Sequence, residues 1–202
     1  MGGIMTKKEI TYQKILESGL IEFGKYGYKL ASTNNIYKTA NTSKGTIFTY
    51  FKTKADLYYE VFKYYIKRFV ERIDKVDLSG MDDVIDKIVH ISLWKYEYFK
   101  NNQLEYNLFI EALMQPPKEI SQKILSHLDM LTKLSLTSFF NEIDMTNISS
   151  EYTKQEVINY ISLAMEGLKS EILKETITID DFSEVKEKSI KFIKTLLKGM
   201  EK

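Results

Sequence analysis

The chain has 202 residues, 44% of them hydrophobic, and a net charge of +1 from 29 basic and 28 acidic side chains. That length suits one large or two small domains, and the apolar content is ample for a packed core. There is no cysteine, which excludes disulfide frameworks and thiolate metal sites, and the apolar runs are too short and too broken by charge to span a membrane. A cytoplasmic protein is expected, since the N-terminus also lacks the apolar core of a signal peptide. Met1-Gly2-Gly3-Ile4-Met5-Thr6 fits the loose N-myristoylation pattern, but a single acyl chain with no polybasic neighbour anchors only marginally. No membrane partner is therefore expected.

With two prolines, nine glycines and little period-two alternation, the chain reads as all-α. Thr6 and Glu9 form a capping box that opens a first helix running to about Tyr26, where Gly27 ends it. Two short helices follow, joined by a tight polar turn: a helix-turn-helix, with Thr33 expected to cap the first and Ser43 the second. Ile36, Ala40, Ile47 and Phe51 supply its inward face, and Lys44, Thr46, Thr49 and Tyr50 point polar groups elsewhere. A short helix with hydroxyls, an aromatic tip and a lysine suits a DNA major groove.

Charge agrees with that assignment. Residues 1–54 hold nine lysines and three acids, a net +6, while the remainder holds 20 basic and 25 acidic residues, a net −5. A near-neutral total thus hides one basic end, as expected where only that end neutralises phosphates.

Thr53 and Asp56 open a helix from Lys54 to about Asp74, whose apolar stripe links an N-terminal domain, residues 1–53, to a larger one, residues 54–202. Further helices are expected from about Asp82 to Lys100, from Gln103 to Met114, and from Pro116-Pro117 to about Asn141. The last two run from Thr153 to about Lys174 and from about Asp181 to Met200, after a turn-rich stretch from Asp144 to Tyr152.

From Ile15 to Phe62 the chain resembles the tetracycline-repressor-like (TetR) family of bacterial one-component regulators. The landmarks are Ile15-Leu16, Phe23 ahead of Gly27, Thr33 with Ile36, Ser43-Lys44-Gly45-Thr46-Ile47-Phe48 running into Tyr50-Phe51, then Lys54 and Leu57. Tyr37 stands where the family usually has a small residue, Asn41 where it has glycine, and Phe48 where it has tyrosine. Asparagine accepts a positive φ more readily than most residues, so Asn41 is expected to take one. The resemblance implies an N-terminal three-helix DNA-binding domain and a C-terminal helical domain for effector binding and dimerisation. It implies that Lys44, Thr46 and Thr49 approach bases from the Ser43-Lys44-Gly45 start of the helix, while Thr33, Tyr50 and Lys54 hold phosphates. It also implies a small-molecule effector pocket amid the C-terminal helices and a homodimer on a pseudo-palindromic operator.

Catalysis is not expected. His90 and His127 are the two histidines, no cysteine nucleophile exists, and neither histidine has the spacing that would join Asp86 or Asp129 in a metal site. No cofactor is expected either. His90, Trp94 and Tyr98 recur every four residues on one helical face, with Tyr106 and Phe109 on the next element, so these five can surround a planar or apolar ligand. Each also fits plain core packing. On the last two helices, Val157, Ile161, Ala164, Met165 and Leu168, then Val185, Phe192, Ile193 and Leu196, form stripes wide enough for a four-helix dimer seam.

The expected function is thus DNA-binding transcriptional regulation, with repression released by a small-molecule effector. The alternatives are a ligand-independent architectural DNA binder, in which the aromatic set is solid core, and a helical interaction module that binds no DNA.

Overall fold

The structure is a computed structural model that describes residues 6–81, 84–140, 145–172 and 182–202. Among the described residues there are nine helices: α1 (Lys7–Leu30), α2 (Thr33–Thr39), α3 (Lys44–Tyr50), α4 (Lys54–Ile73), α5 (Val84–Asn101), α6 (Gln103–Met114), α7 (Ser121–Phe140), α8 (Lys154–Ile172) and α9 (Phe182–Lys198). None of the described helices is long and apolar enough to cross a membrane.

Local signals set most of the boundaries. Thr6 with Glu9 and Thr53 with Asp56 make complete capping boxes at the starts of α1 and α4. Thr153 and Glu156 exchange the same reciprocal bonds ahead of α8. Gly27 has φ 67 and ψ 170, so the regular part of α1 breaks there and one further turn carries on to Leu30. Two ends depart from expectation. α7 begins at Ser121 rather than at the proline pair, because the Ile120 N–H donates to the Pro117 carbonyl at 3.0 Å and closes a turn first. α9 stops at Lys198, and Met200 folds inward to 5% exposure. Asp82, Asn141, Lys174 and Asp181, expected near helix ends, lie outside the described residues.

Contacts group the chain into two compact units, residues 1–74 with 101–127 and residues 75–100 with 128–202. These units do not part at residue 53, the expected division between domains, because α4 and α6 are both built onto α1.

In the first unit, glycines let α1 lie close to its neighbours. A Cβ at Gly19 would stand 2.6 Å from Val61 Cγ2 of α4, and one at Gly24 would stand 2.7 Å from the Leu104 carbonyl oxygen of α6. Ile15, Leu16, Phe23, Leu57, Tyr58, Phe62 and Leu108 are fully buried there. Asn107 Nδ2 donates to the Gly24 carbonyl at 2.8 Å, pinning the same crossing by a polar contact.

In the second unit, Val157, Ile158 and Ile161 of α8 close on Ile148 and Met200, with Leu196 and Leu197 of α9 alongside. The chain end is tied down by backbone pairing, Ser149 N–H to the Met200 carbonyl at 2.8 Å and Lys202 N–H to the Asn147 carbonyl at 3.2 Å.

Candidate nucleic-acid interface

The start of α2 is satisfied by a residue that sequence reading missed. Ser32, not Thr33, is the N-cap, and its own side chain makes no capping bond. The buried carboxylate of Glu22 accepts instead from the Ser32 N–H at 2.8 Å and from Asn35 Nδ2 at 3.2 Å. Thr33 is therefore the first residue of α2, half-buried, rather than its cap. The reason is tertiary: α1 delivers a carboxylate to donors that Thr33 cannot reach from inside the helix.

Asn41 takes φ 50, the positive angle its place in the turn requires. Thr42 N–H donates to the Tyr37 carbonyl at 2.9 Å and Asn41 N–H to the Lys38 carbonyl at 3.0 Å, the bond pair of a Schellman ending with asparagine in the left-handed position. Ser43 then caps α3, its Oγ accepting from Thr46 N–H at 3.1 Å.

Ile47 is buried beneath α3, which leaves Lys44, Gly45, Phe48 and Thr49 on its exposed side and Thr46 and Tyr50 half-buried at the edges. Lys44 Nζ lies 5.8 Å from the Phe48 ring centre. A Cβ at Gly45 would meet only Ser43 Oγ, at 3.7 Å, so nothing inside the protein requires glycine there and the open backbone is left to an outside partner. Thr49 Oγ1 donates to the Gly45 carbonyl at 3.0 Å, which leaves its lone pairs to accept.

The helix is held from behind. Tyr50 donates its hydroxyl to the Lys8 carbonyl at 3.3 Å and sets its ring edge-on to Tyr12 at 5.5 Å. Tyr12 in turn stacks on Phe51 and donates to Glu60 of α4 at 3.1 Å; burial and that carboxylate push its phenol up to about 12. Lys54 lies 4.8 Å over the Tyr28 ring and donates to the Lys29 carbonyl at 3.4 Å, bracing the broken end of α1.

Beside that break sits a second carboxylate that sequence reading did not single out. Glu111 of α6 accepts from the Tyr28 N–H at 2.6 Å and from the Tyr58 hydroxyl at 3.2 Å, and its Oε1 would lie 2.7 Å from a Cβ at Gly27. Burial raises its carboxyl above the ordinary 4.5, against the opposing pull of the Tyr28 and Tyr58 bonds and of Lys54 and Lys29. A raised carboxyl means that the folded chain keeps this proton to higher pH than the unfolded chain does. Its contribution to stability is therefore largest below the ordinary value and declines as pH rises through the folded one. Glu111→Gln is expected to remove that decline, so thermal melts of the variant and wild type should diverge as pH climbs above 4.5.

The candidate ligand residues divide between the two units. On α5, His90, Trp94 and Tyr98 are half-buried, and Trp94 stacks on Tyr98 with centroids 5.3 Å apart and planes at 20°. Tyr106 of α6 is half-buried, and Phe109 is core of the first unit, edge-on to Phe62 at 6.2 Å and 5.8 Å from Phe69.

The candidate dimer stripes need correction. Val157, Ile161 and Ile193 have no exposure and Leu196 packs against the α8 core, so these four belong to the chain's own interior. Ala164 is half-buried, and the side chains of Met165, Leu168 and Val185 lie outside the described residues. The large apolar groups left outward are Tyr160, Leu163 and Phe192, at 41%, 70% and 46% exposure. Periodicity found the apolar helices but not which apolar face the chain itself consumes.

An all-helical chain whose basic N-terminal end holds a capped, open-faced helix in a left-handed turn is a helix-turn-helix protein. Residues 15–61 match the family described as bacterial regulatory proteins, tetR family. The chain is 30% identical over 122 residues to an uncharacterized HTH-type transcriptional regulator, YhgD, of Bacillus subtilis, covering 56% of this chain and 63% of that one. It is 31% identical over 123 residues to the fatty acid metabolism regulator protein of the same organism, covering 59% and 61%. The chain thus spans less than two thirds of the length of either relative. Its fold matches the crystal structure of the transcriptional regulator FadR from Bacillus subtilis in complex with stearoyl-CoA, with a TM-score of 0.66, 22% identity, and coverage of 94% and 100%. The tetR-family match thus lies on the N-terminal residues 15–61, and over its length the chain shares the fold of that regulator.

Proposed function

We propose that this chain is a transcriptional repressor that grips a two-fold operator as a homodimer and lets go when a small molecule binds its C-terminal helices. The observation that carries the reading is the exposed side of α3, where Lys44, the bare backbone of Gly45 and Thr49 stand together above a buried Ile47. In this reading Lys44, Thr46 and Thr49 approach base edges, and Thr33, Tyr50 and Lys54 set register on phosphates. Tyr50 and Lys54, already braced against α1, carry that brace to the DNA.

Dimerisation is assigned to the outward face of α8 and α9. Tyr160, Leu163 and Gly167 share one helical face, and a Cβ at Gly167 would meet nothing within 4 Å, so a partner helix can approach closely. Beside Phe192, α9 carries a surface depression of about 390 Å³ lined by Ile190, Lys191, Lys194, Thr195, Lys198 and Glu187.

His90, Trp94 and Tyr98, all on α5, are the assigned effector residues. A relative named for fatty acid metabolism and a fold neighbour solved with stearoyl-CoA make a long-chain acyl-CoA the first effector to test.

The test is selection of a preferred duplex from a random pool, followed by anisotropy titrations across salt. Affinity should fall steeply with salt, and Lys44→Ala should narrow the gap between preferred and altered sites by about 1–3 kcal/mol at one base pair while leaving the fold intact. Stearoyl-CoA should loosen the complex about 5- to 150-fold, for a coupling of about 1–3 kcal/mol. Wild-type protein with no sequence preference and no salt dependence would sink the reading.

A further inference from the structure

The break in α1 is shaped around a carboxylate that arrives from 83 residues along the chain. Gly27 takes φ 67, and a Cβ there would stand 2.7 Å from Glu111 Oε1, so glycine is required both for the backbone angle and for the room. Into that room α6 brings the Glu111 carboxylate, which accepts from the Tyr28 N–H at 2.6 Å and from the Tyr58 hydroxyl of α4 at 3.2 Å. These bonds fix where the chain leaves the break, and so where the Tyr28 ring lies. Lys54, the half-buried first residue of α4, rests its ammonium 4.8 Å over that ring and donates to the carbonyl of the next residue, Lys29, at 3.4 Å. Glu111 thus reaches Lys54 through Tyr28 alone, and all three belong to the same compact unit.

We propose that Glu111 is a positioning residue for DNA binding: it holds Tyr28 beneath Lys54 and thereby fixes the cation that meets a backbone phosphate. The proposal rests on the regulator reading, in which Lys54 sets register on the duplex. A lysine is a compact charge on a flexible stem, so the register it imposes depends on what confines that stem. Here the confinement is a ring face and a carbonyl, both supplied by the two residues that follow Gly27. Were the Tyr28 N–H released, those two residues would be free to turn about the glycine, which tolerates more backbone angles than any other residue. The Lys54 head would then sample many positions, and ordering it against a phosphate would cost conformational entropy that the clasp removes in advance. Sequence reading placed Lys54 on a phosphate, but nothing near residue 54 in the sequence points to residue 111.

The experiment measures affinity across salt for the duplex selected from the random pool, using full-length wild type, Glu111→Ala, Glu111→Gln, Tyr28→Leu and Lys54→Met. Circular dichroism checks that each is folded. Lys54→Met should weaken the duplex about 10- to 100-fold, the worth of one charge-assisted hydrogen bond, and flatten the salt slope by about one unit. Glu111→Ala and Tyr28→Leu should each weaken it about 10-fold, the lower end of that range, and flatten the slope in the same direction. Neither should weaken it further when combined with Lys54→Met, because both act through that side chain. Glu111→Gln, whose amide oxygen still accepts from the Tyr28 N–H, should restore affinity and slope. Should Glu111→Ala not fold, Glu111→Asp, drawn back from Tyr28 by one methylene, carries the same comparison. A folded Glu111→Ala or Glu111→Asp with wild-type affinity and slope would overturn the positioning role and leave the regulator reading standing. A loss that persists undiminished beside Lys54→Met would overturn it too, since the effect would not pass through Lys54. Wild type with neither sequence preference nor salt dependence would overturn both.

Discussion

Tyr58→Ala is expected to cost about 3–5 kcal/mol, enough to unfold much of a domain whose total stability is about 5–15 kcal/mol. Tyr58 has no exposure and sits where three helices meet. Its ring is edge-on to Phe23 at 5.0 Å and to Tyr28 at 5.3 Å, and its hydroxyl donates to Glu111 of α6 at 3.2 Å. Truncation empties a ring-sized space and removes a donor from a buried carboxylate at once. Tyr58→Phe separates the two terms: it keeps the ring, so it should cost only about 1–3 kcal/mol, the penalty of the carboxylate's missing partner. Urea unfolding of the pair, with unchanged slope, checks both figures. A Tyr58→Phe as damaging as Tyr58→Ala would show that the hydroxyl, not the ring, organises the junction.

Leu163→Glu combined with Phe192→Glu is expected to lower operator affinity about 100- to 10 000-fold, the avidity lost when two linked readers become independent. Both side chains are exposed, at 70% and 46%, so charge placed there disturbs no interior contact of the chain itself. Helical content should therefore survive while sedimentation shifts from dimer to monomer. Val157→Glu makes the contrast: with no exposure it should unfold the α8 core rather than merely part the protomers. A wild type that sediments as a monomer while holding the operator at full affinity would rule out the seam.

These two sites differ in how far the sequence foretold them. Capping signals were readable because each is a local bargain between a side chain and a backbone amide three residues away, as at Thr6, Ser43, Thr53 and Thr153. Asn41 was readable for the same reason, since its left-handed angle follows from the turn's own chemistry. Glu22 and Glu111 were not, because each caps or clasps backbone brought to it by another helix, Glu22 at 2.8 Å from Ser32 N and Glu111 at 2.6 Å from Tyr28 N. No spacing along the chain encodes those meetings.

The order of the helices, the helix-turn-helix with its open face and the basic end were determined by sequence alone, since periodicity, caps and charge act over a few residues. Which apolar stripe faces inward was decided only by tertiary packing. Val157, Ile161 and Ile193 read like a dimer seam until α8 and α9 close on Met200 and Ile148, which leaves Tyr160, Leu163 and Phe192 outside. Phe109 follows the same rule: a one-dimensional pattern says that a face is apolar, and only the neighbours that cover it determine whether it is core or surface.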